Sequence, residues 1–514
     1  MTRYIKPDIS FPMDDVLTRS LDAHVSEVLP EPTPLDAAPL LTERLGFPVL
    51  IKREDLTPVF SFKIRGAYNR MARLTPGERG RGVIAASAGN HSQGVAFAAR
   101  RLGIDCRIVM PTTTPSIKVD AVRRFGVAVD LVGDDYAAAA AHAAALAVDG
   151  GLVTIPPFDD LDVIAGQGTI GLELLRQAPR DLAAVFVPVG GGGLAAGVAA
   201  VVKSQRPHVR VIGVQADDSD AMARSLHAGE RVVLEHVGLF ADGAAVRQVG
   251  VHTFALCRRY LDACITVSVD EICAGIKDGF EETRVVLEPA GALALAGVQR
   301  WARDAGAFAG PVAVVASGAN IAFTRLRYVA EVAEVGERRE AILAVTIPER
   351  PGAFLEFCTA LGDRAVTEFN YRLSARAEAH VFVGVRVDGR GEVAALGTEL
   401  DRGGYAWVDL TDDDLAKTHV RHMVGGRASV VADEVLFTFE FPERPGALRQ
   451  FLQTLGTHWN ISLFHYRSHG DAFGRVLCGF EVPPGERAAL RERLDRLGFD
   501  YREESDNPAV RLFL

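Results

Sequence analysis

Ser61-Phe62-Lys63-Ile64-Arg65-Gly66-Ala67 places a lysine between an aromatic and an aliphatic residue, just after the turn-rich run Asp55-Leu56-Thr57-Pro58. Such a setting half-buries the amine. A buried ammonium loses hydration and with it the tendency to hold its proton, and the neutral amine is the form that condenses with an aldehyde. Lys63 is therefore a candidate Schiff-base lysine. The stretch alone also accommodates a lysine whose stem packs on Phe62 while its head reaches water, which is the commoner use of such a residue.

Three small-residue turns offer the surroundings that such a lysine would need: Ser87-Ala88-Gly89-Asn90-His91, Gly190-Gly191-Gly192-Gly193-Leu194 and Ser317-Gly318-Ala319-Asn320. Each follows an apolar run that reads as a strand and leads toward a helix. Ligands of open parallel sheets bind outside the carboxyl ends of the strands, where helix N-termini supply free N–H groups and a dipole that favours anions. Three such turns suit a ligand with more than one anionic group, or two ligands side by side. The four glycines are the sharpest signal, because only glycine lets successive backbone units wrap a phosphate in unusual conformations. This loop lacks the Lys and Ser/Thr of a P-loop and the spaced glycines of a dinucleotide fingerprint, so it fits neither ATP nor NAD. Taken singly, the turns have plainer readings: a tight strand-to-helix connection at 190–193, a satisfied His91 beside a turn-forming Asn90, and an N-cap at Ser317.

The elements that must hold these groups alternate in kind. From Val49 onward, short apolar runs alternate with helical stretches, the pattern of a parallel sheet covered by helices. Strands are expected at 83–86, 106–110, 128–132, 152–155, 183–189, 211–214 and 312–316. Helices are expected at 117–125, opened by Thr114-Pro115, and along the alanine-rich run 136–148. Residues 1–48 read as an amphipathic, proline-punctuated lead-in.

At 514 residues the chain exceeds what one core ordinarily supports, so two or more domains are expected. Hydrophobic residues at 48% and charged residues at 24% place it with soluble globular proteins rather than disordered or fibrous ones. A net charge of -10 argues against nucleic acid as a partner, since phosphate binding needs a basic surface. The six cysteines, at 106, 257, 264, 273, 358 and 478, have neither close metal-ligand spacing nor the density of a disulfide framework. That predicts a reducing, cytoplasmic setting and no metal site. The N-terminus lacks an apolar leader core, and the most membrane-like stretch, 184–202, is interrupted by Pro188 and four glycines, so no membrane partner is expected.

Beyond residue 325 the character changes, first to a helical connector and then to an internal repeat. Val345-Thr346-Ile347-Pro348-Glu349-Arg350-Pro351-Gly352-Ala353 matches Phe439-Glu440-Phe441-Pro442-Glu443-Arg444-Pro445-Gly446-Ala447 at an offset of 94 (442 minus 348). Phe369-Asn370-Tyr371-Arg372 matches Phe464-His465-Tyr466-Arg467 at an offset of 95 (464 minus 369). Each copy reads strand, Pro-Gly turn, helix, strand, strand, helix, strand, the ferredoxin-like order in which helices cover one face of an antiparallel sheet. Neither copy carries a constellation of titratable groups, so a ligand-sensing pair fits better than a second active site, with dimerisation as the other option. The expected domains are 1–325 for catalysis, in two sub-lobes, 326–340 as connector, and 341–415 and 435–514 as the two modules.

Together the lysine heptapeptide and the three turns resemble the β-family (fold type II) of pyridoxal-phosphate enzymes. The tandem tail resembles ACT-like regulatory domains and narrows the resemblance to the biosynthetic threonine dehydratases, or threonine ammonia-lyases. The likeness runs along nearly the whole chain and shows no departure at the cofactor positions. It implies an α/β catalytic region with parallel sheets, followed by two ferredoxin-like α+β regulatory modules. It also implies pyridoxal 5'-phosphate held on Lys63 as a Schiff base, with Phe62 against the ring. Gly190, Gly191, Gly192, Gly193 and the Leu194 amide would hold the phosphate, Asn90 would bond the 3-hydroxyl, and Ser317 would meet the pyridine nitrogen. Ser87, Ala88, Gly89, Asn90 and His91 would offer N–H groups to the substrate carboxylate. A hydroxyl at the ring nitrogen leaves the ring largely neutral, where an aspartate would keep it protonated, and so favours elimination over deeper carbanion chemistry.

The implied reaction takes L-threonine, with L-serine as a second candidate, to a 2-oxo acid and ammonia; from threonine the product is 2-oxobutanoate, the first step toward isoleucine. The freed Lys63 amine would remove the α-proton, and the cofactor phosphate is a candidate acid for the leaving hydroxyl. Isoleucine would inhibit and valine activate from the tail, around Phe369, Tyr371, Arg372, Phe464, Tyr466 and Arg467, by shifting a homotetramer between two arrangements. Two rivals stay open. One is another reaction on the same scaffold, such as serine or threonine racemisation or a β-replacement; the other is a non-catalytic amino-acid sensor that retains the fold.

Overall fold

The computed structural model describes residues 14–336, 340–348, 353–362, 364, 366–371, 378–422, 433–442, 450–451, 454–455, 458–467 and 473–513. The chain divides into two units, Met1–Ile321 and Ala322–Leu514. Among the described residues no helix is long and apolar enough to cross a membrane.

Ten strands are described in the first unit: β1 (Leu35–Ala37), β2 (Val49–Arg53), β3 (Val83–Ala86), β4 (Cys106–Met110), β5 (Ala128–Leu131), β6 (Val153–Thr154), β7 (Ala184–Pro188), β8 (Arg210–Ala216), β9 (Ala263–Val267) and β10 (Val312–Ala316). Six form a sheet in the order β1-β2-β10-β7-β8-β9, parallel except where β1 runs against β2. The other four form a wholly parallel sheet, β5-β4-β3-β6. Every residue of β7 and β10 is buried, as expected of strands covered on both faces, and their apolar runs are legible for that reason. The expected strands 83–86, 106–110 and 312–316 match the observed bounds, and the others differ by a few residues at their ends. β1, β2 and β9 lie outside those expectations. β2 contains Lys52 and Arg53, both buried, so its composition disguises it.

Lys52 shares a buried network near Lys63 with a further buried cation, Arg65. Arg65, fully buried, donates to Glu54 Oε2 and Oε1 at 2.7 and 2.9 Å and to Glu173 Oε1 and Oε2 at 2.6 and 2.9 Å. Lys52 Nζ donates to Glu173 Oε2 at 2.5 Å, to the Thr33 carbonyl at 2.6 Å and to Gln177 Oε1 at 2.9 Å. Two positive and two negative groups face one another, which lets them sit in the interior. The helix that carries Arg65, Lys63–Ala72, also packs closely on the helix Leu161–Gln177. A Cβ at Gly166 would stand 2.6 Å from the Arg65 carbonyl, so this approach depends on glycine.

In the second unit the helix Leu326–Gly336 precedes β11 (Glu340–Pro348), and then come the helix Ala353–Leu361, β12 (Val366–Tyr371), β13 (Glu378–Arg386), the helix Arg390–Arg402 and β14 (Ala406–Asp409). The second copy supplies β15 (Glu434–Pro442), β16 (Asn460–Arg467), β17 (Phe473–Glu481), the helix Arg487–Leu497 and β18 (Tyr501–Glu503). The sheets run β12-β13-β11-β14 and β16-β17-β15-β18, antiparallel at every pairing, which is the expected ferredoxin-like arrangement. Their cores differ in kind. Leu343, Val345 and Ile347 of β11 face the first pair of helices, whereas Phe437, Phe439 and Phe441 stand at the equivalent places of β15. The opposite faces meet in a shared core that includes Ile342, Phe382, Leu436 and Leu477.

Candidate active site

The carboxyl ends of β7 and β10 and the starts of four helices border one cleft. The helices are Lys63–Ala72, Asn90–Leu102, Gly193–Gln205 and Pro289–Ala305. Each presents unsatisfied N–H groups or a side chain at its first turn. Phe62, Lys63, Asn90, Gly190, Gly191, Gly192, Gly193, Leu194 and Ser317 all line this cleft, although they come from four separate stretches of sequence.

Lys63 opens its helix with Nζ turned inward, donating to the Pro157 carbonyl at 2.8 Å and standing 5.3 Å from the centre of the Phe62 ring. The side chain is half-buried at the cleft wall, with its amine held to the protein. Loss of hydration pushes it down to about 8, against the opposing pull of the Glu288 charge. The segment that carries Lys63 is tied to the Ser317 turn: the Phe62 N–H donates to the Ser317 carbonyl at 3.1 Å, and the Ala319 N–H to the Phe60 carbonyl at 2.9 Å. Ser317 is buried, and its hydroxyl donates to the Ala290 carbonyl at 3.3 Å.

The glycine loop is oriented from behind. Thr253 Oγ1 donates to the Gly191 carbonyl at 2.6 Å and Cys257 Sγ to the Gly192 carbonyl at 3.8 Å, both from the helix Val251–Tyr260. In trans peptides the N–H opposes the carbonyl, so the Gly192 and Gly193 N–H groups point the other way, toward the cleft that these glycines line. Gly192 holds φ at +98°, a conformation that favours glycine, and a Cβ at Gly191 would stand 2.3 Å from the Phe158 ring. The cradle thus admits backbone and an anion but no side chain.

Of the turn 87–91, Asn90 reaches the cleft lining, while Ser87, Ala88 and Gly89 are half-buried just before it. His91 turns into the protein, where Nε2 donates to the Ile155 carbonyl at 2.8 Å. Burial and the nearby Lys63 charge push its pKa down to about 3, so the ring is neutral, and Nδ1 has no partner among the described residues. Whatever this turn gives a carboxylate comes from backbone N–H groups at the helix start, not from imidazolium.

Among the lining residues that were not anticipated are Phe158, Gln167 and Glu288. Glu288 is buried and accepts from Asn90 Nδ2 at 2.5 Å. Gln167 is buried, and its Oε1 has no partner among the described residues. The one signal for Glu288 was its place before Pro289, and an acid at the start of a helix is ordinary. In the tail, Phe369 and Tyr371 lie on β12 and Phe464, Tyr466 and Arg467 on β16, while Arg372 lies outside the described residues.

Pyridoxal phosphate fits these residues: a backbone cradle at a helix N-terminus suits its phosphate, an amine without a carboxylate partner suits its aldehyde, and the buried Ser317 hydroxyl suits its ring. The comparisons agree. Residues 27–318 match the pyridoxal-phosphate dependent enzyme family, and 331–420 and 425–514 each match the C-terminal regulatory domain of threonine dehydratase. The L-threonine dehydratase biosynthetic IlvA of Burkholderia multivorans is 55% identical over 97% of this chain and 99% of its own length. Its Escherichia coli counterpart is 54% identical over 94% of each chain. The solved structure of the processed form of threonine deaminase isoform 2 from Solanum lycopersicum superposes with a TM-score of 0.62 at 48% identity, over 63% of this chain and 94% of that one. A cleft built around an unpaired lysine and a glycine cradle, joined to a duplicated regulatory tail, agrees with these likenesses along the whole chain, which belongs to the biosynthetic threonine dehydratase family of pyridoxal-phosphate enzymes.

Proposed function

We propose that the chain dehydrates and deaminates L-threonine to 2-oxobutanoate and ammonia, the first step toward isoleucine, with the cofactor held on Lys63. One observation carries this reading: the Lys63 amine is poorly hydrated, has no carboxylate partner among the described residues, and lines the same cleft as the glycine cradle. Bound pyridoxal phosphate supplies the electron sink that acidifies the substrate α-hydrogen and lets the β-hydroxyl depart. The protein's own groups do the rest. Gly190 to Gly193 and the Leu194 amide would bind the phosphate, Asn90 would bond the 3-oxygen, and Ser317 would meet the ring nitrogen. The start of the helix Asn90–Leu102, with the turn Ser87, Ala88 and Gly89, binds the substrate carboxylate. Lys63 Nζ, neutral once freed, accepts the α-proton. Phe62 and Phe158 screen that amine from water.

The same reading gives the second unit the sensing of isoleucine as inhibitor and valine as activator, and places the enzyme in the cytoplasm as a homotetramer. Its support is the pair of regulatory-domain matches. The test is 2-oxo acid release from L-threonine and L-serine by the full chain, with and without isoleucine and valine. The expected result is release from threonine that isoleucine suppresses and valine restores. Accumulation of the D-amino acid without a 2-oxo acid would favour the racemase alternative instead.

A further inference from the structure

Asn320 ends the turn after β10 without lining the cleft, and the reading above gives it no role. Its Nδ2 donates to the Val59 carbonyl at 2.8 Å and to Asn90 Oδ1 at 2.7 Å. A backbone carbonyl only accepts, so the atom that Asn320 turns toward Val59 is its nitrogen. The second hydrogen of that nitrogen goes to Asn90, so the atom that Asn90 turns toward Asn320 is its oxygen. Asn90 Nδ2 must then face Glu288, to which it donates at 2.5 Å. One of its two hydrogens is used there, and one is left for the cleft.

An asparagine amide on its own presents oxygen or nitrogen with nearly the same shape. Here the choice is imposed from a backbone carbonyl through a second amide. Asn90 is 7% and Glu288 4% exposed, so bulk water offers little alternative partnership. Room for the acid is itself built in: a Cβ at Gly318 would stand 2.4 Å from Glu288 Oε1.

We propose that the Val59 carbonyl, Asn320, Asn90 and Glu288 form a directional relay that makes Asn90 a hydrogen-bond donor toward the cofactor's 3-oxygen and so holds that oxygen as a phenolate. The inference rests on the assignment of Asn90 to the 3-oxygen. An N–H donor stabilises an anionic oxygen and has nothing to offer a phenol proton. Asn320 is accordingly a positioning residue. Asn320→Asp reverses the relay: a carboxylate accepts where the amide donated, Asn90 turns its nitrogen toward it, and the amide oxygen then faces Glu288 and the cleft.

The readout is the absorption spectrum of the purified, substrate-free holoenzyme across pH, comparing the visible band of the phenolate form with the near-ultraviolet band of the phenol form. Asn320→Asp is expected to lower that ratio about tenfold, the equivalent of one hydrogen bond to an ionised acceptor. Asn320→Ala, which releases the amide without reversing it, is expected to lower it less and in the same direction. Asn90→Ala separates the two levels of the claim. If Asn90→Ala shifts the ratio and both Asn320 variants keep the wild-type spectrum at every pH, the relay is wrong while Asn90 keeps its place. If Asn90→Ala leaves the spectrum unchanged, the assignment of Asn90 itself falls, and the relay with it. If neither Asn320 variant retains cofactor, Asn320 is structural and the proposal is overturned.

Discussion

Lys52, buried, and Lys63, half-buried, both have amines pushed below the usual lysine range by loss of hydration, yet one is locked and the other is available. Lys52 is gripped by Glu173, Gln177 and the Thr33 carbonyl, and the charges of Glu54 and Glu173 draw its proton back. Lys63 has a single backbone carbonyl as partner and looks into the cleft. Burial by itself therefore does not make a nucleophile. A low-dielectric setting, no bonded carboxylate and an opening must coincide, and they do so at Lys63.

The largest effect that would break this contrast is on turnover. Lys63→Ala is expected to lower 2-oxo acid release by at least about 10³-fold and to abolish the borohydride-sensitive yellow cofactor. Lys52→Met is expected instead to leave turnover of the folded protein nearly intact but to destabilise it by about 3–5 kcal/mol, because Glu173 loses a partner inside the protein; denaturant unfolding measures this. The reverse pattern, an inactive but stable Lys52→Met, would exchange the roles of the two residues.

Two smaller effects sharpen the account of the cleft. Gly191→Ala puts a Cβ 2.3 Å from the Phe158 ring, and overpacking of that kind costs about 1–3 kcal/mol, to be read as weaker cofactor affinity by titration of the apoenzyme. The pH dependence has a definite sign. The Lys63 amine, lowered to about 8, is protonated below that pH and cannot attack an aldehyde, so the rate of cofactor reloading should rise with pH and level off above about 8. With an ordinary surface lysine the rate would keep rising toward the usual lysine value of 10.5.

The sequence told most where a group's role depends on its immediate neighbours. Lys63 beside Phe62, the run of glycines and the Ser317 turn all announce backbone conformations or burial that local chemistry can recognise. The network under Lys63 was illegible because Arg65 meets Glu173 across 108 positions, and each member looks like a surface charge in its own stretch. Glu288 and Gln167 were hidden for the same reason: helices that read as ordinary bring them to the cleft by packing. β2 escaped notice because its buried lysine and arginine break the apolar run that marks β7 and β10. In the tail, the 94-residue repeat revealed two copies of one fold, and the cores differ where Leu343, Val345 and Ile347 of β11 give way to Phe437, Phe439 and Phe441 of β15. Both fillings satisfy the same alternation, and alternation is what a sheet requires.

The most direct test is to reduce the intact holoenzyme with borohydride, digest it, and find by mass spectrometry which lysine carries the reduced pyridoxyl group. A single modified peptide containing Lys63 is the predicted result. Label on Lys52, or spread over other lysines such as Lys203, would contradict the claim that the amine in the cleft is the one that holds the cofactor.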